Sequence, residues 1–349
     1  MLRIRQNCND NPDDGQKTTV ERWPQNAVGR TIGVVMRIGI LSRNPQLFST
    51  RRLAAAARER GHTVAIIDTM SVAVHIGGDE PEARAPQLLV PQVPGLAGAA
   101  ELPAFDAIIP RIGTSVTFYG LAVVRQFEAG GVLTTASSSA IACSRDKLQS
   151  LQVMAQAALP IPRTAVVAQP EALYAAVEAV GGLPAIVKLI HGTQGRGVFL
   201  AHHFATISAI LRQAAESNRQ AIVQEFISEA GGRDWRLIVI GERCVAAMVR
   251  QAAPGEFRAN LHRGGKATPF VPDAATIRLA VTAAQAHGLA VAGVDLLPSR
   301  RGNLLLEVNS SPGLEGIERA TGVDIAGEIV RYVENTHNQR PRATHRSRR

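Results

Sequence analysis

Three oxygen-bearing side chains interrupt two apolar segments near the carboxyl end of the chain. Asp295 lies in VAGVDLL (291–297), and Glu307 and Asn309 lie in LLLEVN (304–309). Alternate residues of a strand share a face, and a carboxylate in an apolar strand needs a compensating cation or donor. Oxygen ligands from two adjacent strands suit Mg²⁺, which leaves positions for phosphate oxygens and water. The trio therefore predicts a metal site, whereas Asp295 alone fits a solvent-facing strand end equally well.

A second candidate site combines a lysine in an apolar segment with a glycine-rich turn. Lys188 lies in PAIVKLI, and the turn HGTQGRG that follows contains Gly192, Gly195 and Gly197. Glycines let backbone N–H groups approach phosphate oxygens, and a buried lysine needs a partner. Strand-like segments flank the turn on both sides, unlike in the Walker and dinucleotide-binding motifs. The pattern predicts phosphate binding, and its structural alternative is a hairpin turn with left-handed glycines.

Further cationic residues are candidates for binding anions. Lys147 stands near the start of a helix predicted over residues 145–158, where a cation opposes the helix dipole unless an anion is bound. The polar segment EFRANLHRGGKA (256–267) follows Arg250, which ends a strand-like segment. Its candidate residues are Arg258, Asn260, His262 and Arg263. The arginine guanidinium matches carboxylate and phosphate oxygens, so the segment 256–267 predicts side chains that hold such an anion. For this segment and for Lys147, the alternative is a solvated surface.

The segment VQEFISEAGGRD (223–234) is typical of a strand that leaves the core into a turn. Backbone groups at Glu225 and Phe226 can meet the edge of an adenine ring, and Asp234 can reach ribose hydroxyls. A core strand followed by a turn explains the same pattern equally well.

The composition is that of a globular chain with an aliphatic core. The 349 residues are 46% hydrophobic, 19% charged and only 4% aromatic, which favours helices packed on a parallel sheet. The three scattered cysteines (Cys8, Cys143 and Cys244) exclude a disulfide framework and a zinc site. No apolar run reaches the length of a membrane span. These features predict a cytoplasmic protein with no membrane partner.

The two ends of the chain differ from the rest. Residues 1–35 are polar and aperiodic, so Met36 is the predicted natural start, and the preceding residues are a mis-start or a disordered extension. The last 13 residues hold five arginines and no acidic residue, and they supply most of the net charge of +9. This tail (337–349) is predicted to be disordered, and it is a candidate for weak contact with RNA phosphates.

Alternating strand-like and helix-like segments over residues 36–140 predict an α/β domain with a parallel sheet. Within it, residues 77–104 are rich in Gly, Pro and Ala and are predicted to form a loop. Residues 141–336 predict an α+β region that contains a long hairpin over residues 234–251. Helices are predicted near residues 47–60, 116–129, 145–158, 170–180, 204–217, 273–287 and 314–334.

The order of these features resembles the ATP-grasp superfamily of carboxylate–amine ligases. Eight segments are further similar to the RimK family of ribosomal protein glutamate ligases, and the similarity covers almost all of residues 36–335. They are RIGILSRNPQLFSTRRL, PRIGTSVTFYG, RQFEAGG, SRDKLQSLQ, VKLIHGTQGRGV, FRANLHRGG, VAGVDLL and EVNSSPGLEGIERATGVDIAG. The resemblance implies an ATP-grasp fold with an N-terminal Rossmann-like (pre-ATP-grasp) domain, a small α+β lid and a catalytic domain that holds ATP between two sheets.

The resemblance also implies roles for individual residues. ATP would be bound by Lys147, Lys188, Gly192, Gly195, Gly197, Glu225, Phe226, Asp234, Arg258, Ala259 and Asn260. Asp295, Glu307 and Asn309 would bind two Mg²⁺ or Mn²⁺ ions, with Glu307 bridging them. Arg250 would be the catalytic residue that stabilises the transferring phosphoryl group.

The implied reaction activates an acceptor carboxylate as an acyl-phosphate, which the amine of free L-glutamate then attacks. In this family the acceptor is the C-terminus of the sixth small-subunit ribosomal protein. One alternative is the same chemistry on a different peptide, a poly-glutamate chain or a small molecule. Another is a non-catalytic, ribosome-associated nucleotide sensor that uses the basic tail, although such a sensor has no need of the metal trio. A homo-oligomer is compatible with each of these interpretations.

Overall fold

A parallel sheet flanked by helices forms the amino-terminal domain. The computed structural model describes residues 34–77, 87–90, 100–101, 104–189, 197–216, 220–259 and 264–340. The elements of this domain are β1 (Arg37–Leu41), α1 (Phe48–Glu59), β2 (Thr63–Ile67), β3 (Ala73–His75), β4 (Gln87–Val90), β5 (Ala100–Glu101), β6 (Ala107–Pro110), α2 (Thr117–Ala129) and β7 (Leu133–Thr134). Four strands pair in parallel in the order β2–β1–β6–β7, as the alternation of segments predicts.

A second, antiparallel sheet of this domain consists of β3, β4 and β5. The prediction of a continuous loop over residues 77–104 is wrong where β4 and β5 lie. The flanking Gly, Pro and Ala residues dominate the local sequence signal, whereas the four residues of β4 acquire their strand conformation from pairing with neighbours on both sides.

Two short helices lead from this domain to the rest of the chain. They are α3 (Ser138–Arg145) and α4 (Lys147–Gln156). The prediction of one helix over residues 145–158 is wrong at its start, because Asp146 has an extended backbone and separates the two helices. Its carboxylate accepts hydrogen bonds from the N–H groups of Leu148 and Gln149 at 2.9 and 3.0 Å, as an N-cap does.

The next elements form a small antiparallel domain, here called the lid (residues 164–225). They are β8 (Thr164–Val167), α5 (Leu173–Ala179), β9 (Ala185–Leu189), β10 (Val198–Ala201), α6 (Phe204–Glu216) and β11 (Ala221–Glu225). The strands pair in the order β10–β9–β11–β8. Strands β9 and β10 flank the glycine-rich turn, as predicted, and they pair as an antiparallel hairpin. All six elements contribute to a core of their own, which suits a unit that moves as a body.

A five-stranded antiparallel sheet dominates the carboxyl-terminal domain. Its elements are β12 (Arg233–Ile240), β13 (Arg243–Gln251), β14 (Lys266–Pro269), α7 (Ala274–Ala286), β15 (Val291–Ser299), β16 (Gly302–Asn309), α8 (Glu315–Thr321) and α9 (Ile325–Gln339). The strand order is β14–β13–β12–β15–β16, and β12–β13 is the predicted hairpin. The single helix predicted over residues 314–334 is wrong, because Gly322 (φ +70°) divides it. Helix α9 continues into the predicted tail, of which residues 341–349 lie outside the described residues.

The central strand β12 joins the two main domains through both of its faces. Leu237 and Val239 enter one hydrophobic core together with α7 and the helices α2 and α3. Ile238 and Ile240 enter the opposite core together with α1, α8 and α9. Because residues of the amino-terminal domain take part in both cores, that domain and the carboxyl-terminal sheet form one packed unit, from which the core of the lid is separate.

No helix in the described part of the chain has the length and apolar character needed to cross a membrane. Cys143 and Cys244 are free thiols, and Cys8 lies outside the described residues. Burial raises the pKa of Cys244 to about 12, so this thiol is protonated and unreactive at neutral pH.

Candidate active site

The predicted metal ligands lie side by side at one end of the carboxyl-terminal sheet. Asp295 in β15 is directly opposite Glu307 in β16, and Gly293 is opposite Asn309. Opposed residues of an antiparallel pair share a face, so the three side chains point to the same side, as their spacing predicts. The register shifts directly after Asp295, and bulges of this kind re-aim side chains beside functional sites. Asp295 is buried, whereas Glu307 is exposed.

Two arginines compensate the buried carboxylate of Asp295. Arg236 donates from Nε and Nη2 at 2.8 and 2.7 Å, and Nη2 of Arg250 lies 3.0 Å from Oδ2. Burial raises the pKa of Asp295, but the two guanidinium groups outweigh burial and leave that pKa below its ordinary value. Asp295 is therefore ionised at neutral pH and available as an anionic ligand.

Asp234, the predicted ribose contact, is also paired with Arg250. Its side chain is buried, and both of its oxygens accept hydrogen bonds from Arg250, at 2.6 and 2.8 Å. Burial and the neighbouring Asp295 carboxylate raise the pKa of Asp234, and Arg250 opposes that effect. A buried carboxylate that is engaged at both oxygens presents little surface to ribose hydroxyls. The hydrogen bonds therefore give Asp234 a role in orienting Arg250, and the ribose contact stays a prediction.

The two lysines that were predicted to bind phosphate converge on Glu307 from different elements. Lys147 is the first residue of α4, and Lys188 lies in β9 of the lid. Burial lowers the pKa of both lysines, to about 8 for Lys188, and the Glu307 carboxylate partly offsets this effect at each. The like charge of Lys147 contributes to the lowered pKa of Lys188, so the two ammonium groups lie near each other. Two cations beside one carboxylate can accommodate a polyanion together with a metal ion.

Lys188 is held by a polar chain that crosses the sheet of the lid. Its Nζ donates to Oε1 of Gln224 at 2.6 Å, and Nε2 of Gln224 donates to Oγ1 of Thr164 at 2.8 Å. At the end of the adjoining turn, Gly197 has φ +78°, and a Cβ there would lie 3.3 Å from the Leu189 side chain. That position therefore favours glycine. Gly192 and Gly195 lie outside the described residues.

The segment predicted to bind adenine begins at the end of β11. The Glu225 carboxylate binds Arg163 at 3.0 Å and Arg301 at 2.5 Å, which connects the lid to the turn between β15 and β16. The N–H of Glu225 donates to the carbonyl of Arg163 at 2.9 Å, so a backbone donor for a base must come from Phe226 onward. Phe226 is half-buried and leaves part of its ring accessible. The adenine contact remains a prediction.

Arg258 connects the loop after β13 to the lid. It donates from Nε and Nη2 to Glu256 at 2.9 and 2.7 Å, and from Nη1 to the carbonyl of Val198 in β10 at 3.2 Å. These contacts, led by the Arg258 hydrogen bonds, lower the pKa of Glu256 to about 2. Arg258 therefore lies next to the hairpin that carries Gly197, and the adjacent Ala259 is buried. Asn260, His262 and Arg263 lie outside the described residues.

The oxygen donors of this site fit a hard divalent cation. Asp295, Glu307 and Asn309 present two carboxylates and an amide on one face, which are donor types that Mg²⁺ prefers. The two arginines occupy three acceptor positions of Asp295, and a carboxylate has about four, so one remains for a metal. Within the described residues, no cluster of three or more His, Cys, Asp or Glu side chains forms a complete metal site. Mg²⁺ that is held by one or two carboxylates ordinarily completes its coordination with phosphate oxygens and water.

Known proteins share both the fold and this arrangement of segments. A family model described as the RimK-like ATP-grasp domain matches residues 144–333, and one described as the RimK PreATP-grasp domain matches residues 36–141. The chain belongs to the RimK-like ATP-grasp family. It is 47% identical over 311 residues to the probable alpha-L-glutamate ligase 1 of Shewanella amazonensis, covering 88% of this chain and 99% of that protein. It is 48% identical to the probable alpha-L-glutamate ligase of Pseudomonas aeruginosa, over 86% of this chain and 95% of that protein.

Solved structures of lower sequence identity share the fold of this RimK-like chain. The ATP-grasp ligase PsnB, complexed with its minimal precursor, is 20% identical with a TM-score of 0.66, over 88% of this chain and 99% of that one. The RimK domain ATP-grasp protein of Sphaerobacter thermophilus is 21% identical with a TM-score of 0.61, over 85% of this chain and 99% of that one. The predicted ATP-grasp fold with an N-terminal pre-ATP-grasp domain is confirmed, and the RimK-like chain is an ATP-dependent ligase.

Three arginines near the site were not found by sequence reasoning. Arg236 shares a face of β12 with Asp234, and their i, i+2 spacing in DWRLIV was a signal for this. Arg145 directly precedes the helix cap. Burial lowers the pKa of Arg145, and the Glu307 carboxylate partly offsets this effect. Arg111 follows β6, and nothing in its local sequence distinguishes it from a solvated arginine.

Proposed function

We propose that this RimK-like ligase adds L-glutamate to the C-terminal carboxylate of a small-subunit ribosomal protein, the sixth, with ATP as co-substrate. The observation that carries the proposal is the convergence of Lys147 and Lys188 on Glu307, which lies beside Asp295 and Asn309. Relatives that are nearly half identical are named probable alpha-L-glutamate ligases, which supports glutamate as the amine. Solved structures of this fold include complexes with Mg and ADP, which supports the use of ATP and Mg²⁺, with Mn²⁺ as the other expected metal.

The first step of the proposed reaction activates the acceptor carboxylate. One of its oxygens attacks the γ-phosphorus of ATP, the bond from that phosphorus to the bridging oxygen breaks, and ADP and an acyl-phosphate form. Lys147 and Lys188 hold the phosphate oxygens. Arg250, which Asp234 and Asp295 fix from two sides, neutralises charge on the transferring group. Because these pairs are preformed, the guanidinium needs little reorganisation during the reaction.

Asp295, Glu307 and Asn309 would hold the metal, which when bound neutralises phosphate charge and polarises the transferred phosphoryl group. The protein itself keeps Asp295 ionised and aligns Glu307 with it. Arg236 and Arg250 favour the ionised form of Asp295, and the pairing of β15 with β16 fixes Glu307 opposite it.

The second step forms the amide bond. The amine of L-glutamate attacks the acyl carbon, phosphate leaves with the bonding electrons, and the proton released from the amine passes to the departing phosphate. Cationic side chains stabilise the oxyanion that develops on the acyl oxygen. Water competes with the amine for the acyl-phosphate, so the site must be closed during the reaction. The lid, which has its own core and carries Lys188, is the element suited to close it.

Incorporation of labelled L-glutamate into purified ribosomal protein, with and without its carboxyl-terminal residues, tests the proposal. We expect incorporation that requires ATP, a divalent metal and the intact carboxyl terminus. ADP release that depends on glutamate but leaves the protein unlabelled would favour a small-molecule or free-peptide acceptor. Absence of ADP release with every acceptor would support the nucleotide sensor instead.

A different peptide acceptor is the second candidate. Solved structures of this fold include PsnB with the precursor peptide PsnA2 and the macrocyclase MdnC with the precursor peptide MdnA, so the fold accommodates peptides. A panel of peptides that differ in their carboxyl-terminal residues distinguishes the two acceptors. The RNA contact of the tail and the homo-oligomer stay predictions.

A further inference from the structure

Three arginines (Arg43, Arg111 and Arg145) cluster at the carboxyl ends of β1 and β6, a place here called the crevice. The chain leaves β1 toward β2 on one side and β6 toward β7 on the other, so the connections diverge between these two central strands. In an open parallel sheet, such a switch point forms a crevice for ligands. Arg43 follows β1 and Arg111 follows β6, and the N–H of Arg111 donates to the carbonyl of Leu41 at 2.8 Å. The two strand ends are therefore held together beneath the arginines.

Arg145 reaches the same crevice from the end of α3. Its guanidinium donates to Oγ1 of Thr114 at 2.7 Å and to the carbonyl of Ile112, both in the segment after β6. Arg111 donates from Nη2 to the carbonyl of Pro312 at 2.8 Å, in the turn that directly follows β16. The crevice therefore adjoins the strand that carries Glu307, where the reaction would occur.

The arginines of this crevice bind neutral oxygens. None of the ion pairs formed within the described residues involves Arg43, Arg111 or Arg145, whose acceptors are hydroxyl and carbonyl groups. Burial, together with the like charge of Arg145, lowers the pKa of Arg111 to about 10. In the adjoining turn, the buried Ser310 hydroxyl has no hydrogen-bond partner among the described residues. Cations and a hydroxyl held in this way are costly unless a ligand satisfies them.

Other arginines that are not exposed pair with carboxylates. Arg52 binds Glu318 at 3.1 Å and Arg60 binds Glu334 at 2.6 Å, and both link helices of different domains. Arg236 likewise binds Asp295. Among the described arginines that are not exposed, Arg111 and Arg145 are therefore distinctive in forming no ion pair. Exposed arginines such as Arg340 also bind only a carbonyl group.

We propose that this crevice binds the carboxylates of a glutamate residue, with Arg111 and Arg145 as the recognition pair. The inference rests on the proposed function and identifies the part of the site that recognises the acidic substrate. The guanidinium fork matches a carboxylate, and the crevice lies beside the turn after Asn309. Free L-glutamate and an acidic carboxyl end of the acceptor present the same carboxylate chemistry, and the experiment separates these two sources.

The variants Arg111→Gln and Arg145→Gln test the crevice, with Arg125→Gln as the matched control. Arg125 is an exposed arginine of the same domain, on α2. Initial rates are measured against L-glutamate, acceptor and ATP separately. We expect the KM for L-glutamate to rise by about 10- to 100-fold in both variants, the loss typical of a hydrogen bond to a charged group. If the crevice holds the acceptor end, the KM for acceptor rises instead, and in both cases the KM for ATP is unchanged.

The preference for glutamate over glutamine is a second measurement, and substitution of an arginine with only a structural role would leave it unchanged. Wild-type enzyme should prefer glutamate to glutamine in kcat/KM, and both variants should lose about tenfold or more of that preference, while the control keeps it. Arg111→Lys keeps the charge and a donor for Pro312 but lacks the fork, so it should fold normally and still lose part of the preference.

Two different outcomes would contradict the crevice proposal and the proposed function separately. If wild type is an active glutamate ligase, and folded variants keep both KM values and the preference, the crevice does not bind the carboxylates. If wild type shows no glutamate-dependent activity, the proposed function fails. Calorimetric titration with L-glutamate then tests whether the crevice binds glutamate carboxylates. Binding by wild type that Arg111→Gln abolishes supports the crevice, and absence of binding contradicts it.

Discussion

At the residue scale, the site is a row of charges that crosses four strands of the carboxyl-terminal sheet. Asp234 is opposite Arg250, Arg236 is opposite Asp295, and Asp295 is opposite Glu307. Removal of one partner from a buried pair leaves the other uncompensated, at a cost of about 3–5 kcal/mol in stability. Substitutions at the buried positions therefore confound folding with catalysis, and the exposed Glu307 gives the cleaner test.

Glu307→Gln should abolish metal-dependent ADP formation without unfolding the protein. The substitution is isosteric at an exposed position but removes one of the two carboxylates that would hold the metal, so we expect ADP formation to fall on the order of 10²–10³-fold. Mn²⁺ binding by electron paramagnetic resonance and ADP release are measured together. Glu242→Gln, an exposed glutamate in the turn between β12 and β13, is the control. A folded Glu307→Gln variant with full ADP formation would remove the metal assignment.

Lys188 should make nucleotide affinity dependent on pH. Its pKa is lowered to about 8, chiefly by burial, so raising the pH from 7 to 9 neutralises most of the ammonium. We expect the Kd for ADP, measured by calorimetry, to rise by up to about tenfold over this range. Lys188→Arg remains charged and should show a much smaller rise. The same pH dependence in both proteins would argue against phosphate binding by Lys188.

At the element scale, the break between α3 and α4 positions the first phosphate-binding lysine. Asp146 caps α4 and so fixes Lys147 at its first turn, while Arg145 ends α3 and enters the crevice. A cation at a helix start opposes the dipole, and a bound phosphate would reverse this penalty. The cap is therefore part of the binding site as well as part of the helix.

Asp146→Ala should weaken ATP binding, whereas Asp273→Ala should not. Both aspartates cap helices, since Asp273 accepts from the N–H of Thr276 at 2.7 Å at the start of α7. We expect each substitution to lower the free energy of unfolding by about 1 kcal/mol, measured by urea denaturation. Only Asp146→Ala should also raise the Kd for ATP, because only that cap holds Lys147. Equal ATP affinity in the two variants would contradict the positioning role.

The sequence identifies most elements, but it does not identify their partners. Apolar segments correctly predicted the two strands that flank the glycine-rich turn and the β12–β13 hairpin, because burial on a sheet imposes a local pattern. The break at Asp146 was missed, since a capping carboxylate inside a helical pattern has the same local signature as a solvated one. The Asp234–Arg250 pair and the Arg111 crevice depend on strand register and strand order, which local sequence does not encode.

At the scale of the whole molecule, ion pairs reinforce the shared cores of the two main domains. Arg60 donates to Glu334 at 2.8 and 2.6 Å, and His62 lies 2.8 Å from the same carboxylate. These contacts join the first domain to α9. The packed pair of domains provides a rigid base, against which a lid with a separate core can open and close.

Glu334→Gln should destabilise the protein at neutral pH and not in acid. Burial raises the pKa of Glu334, but Arg60 and His62 outweigh it and leave the pKa below its ordinary value of 4.5. The stabilisation is therefore present above that value and is lost as the pH falls through the lowered pKa. We expect Glu334→Gln to lower the free energy of unfolding, measured by urea denaturation, by about 1 kcal/mol at pH 7. This difference from wild type should shrink toward pH 3.

Glu315→Gln is the matched control for the contact of Glu334 with Arg60 and His62. Glu315 pairs with Arg319 on one helix, and both side chains are exposed. The free energy of unfolding of Glu315→Gln should therefore equal that of wild type within error at every pH. Equal stability of Glu334→Gln and wild type at pH 7 would show that the cores alone hold the domains together.

Glutamate-dependent ADP formation, followed by mass analysis of the acceptor, tests the central claim most directly. Purified wild-type protein is incubated with ATP, Mg²⁺, the ribosomal protein and each of the standard amino acids in turn, with Glu307→Gln in parallel. We predict ADP release with L-glutamate, together with acceptor molecules heavier by whole glutamate residues, and neither with Glu307→Gln. ADP release that requires a different amino acid, or wild-type turnover that leaves the mass of the acceptor unchanged, would contradict the assignment of this chain as a glutamate ligase of that acceptor.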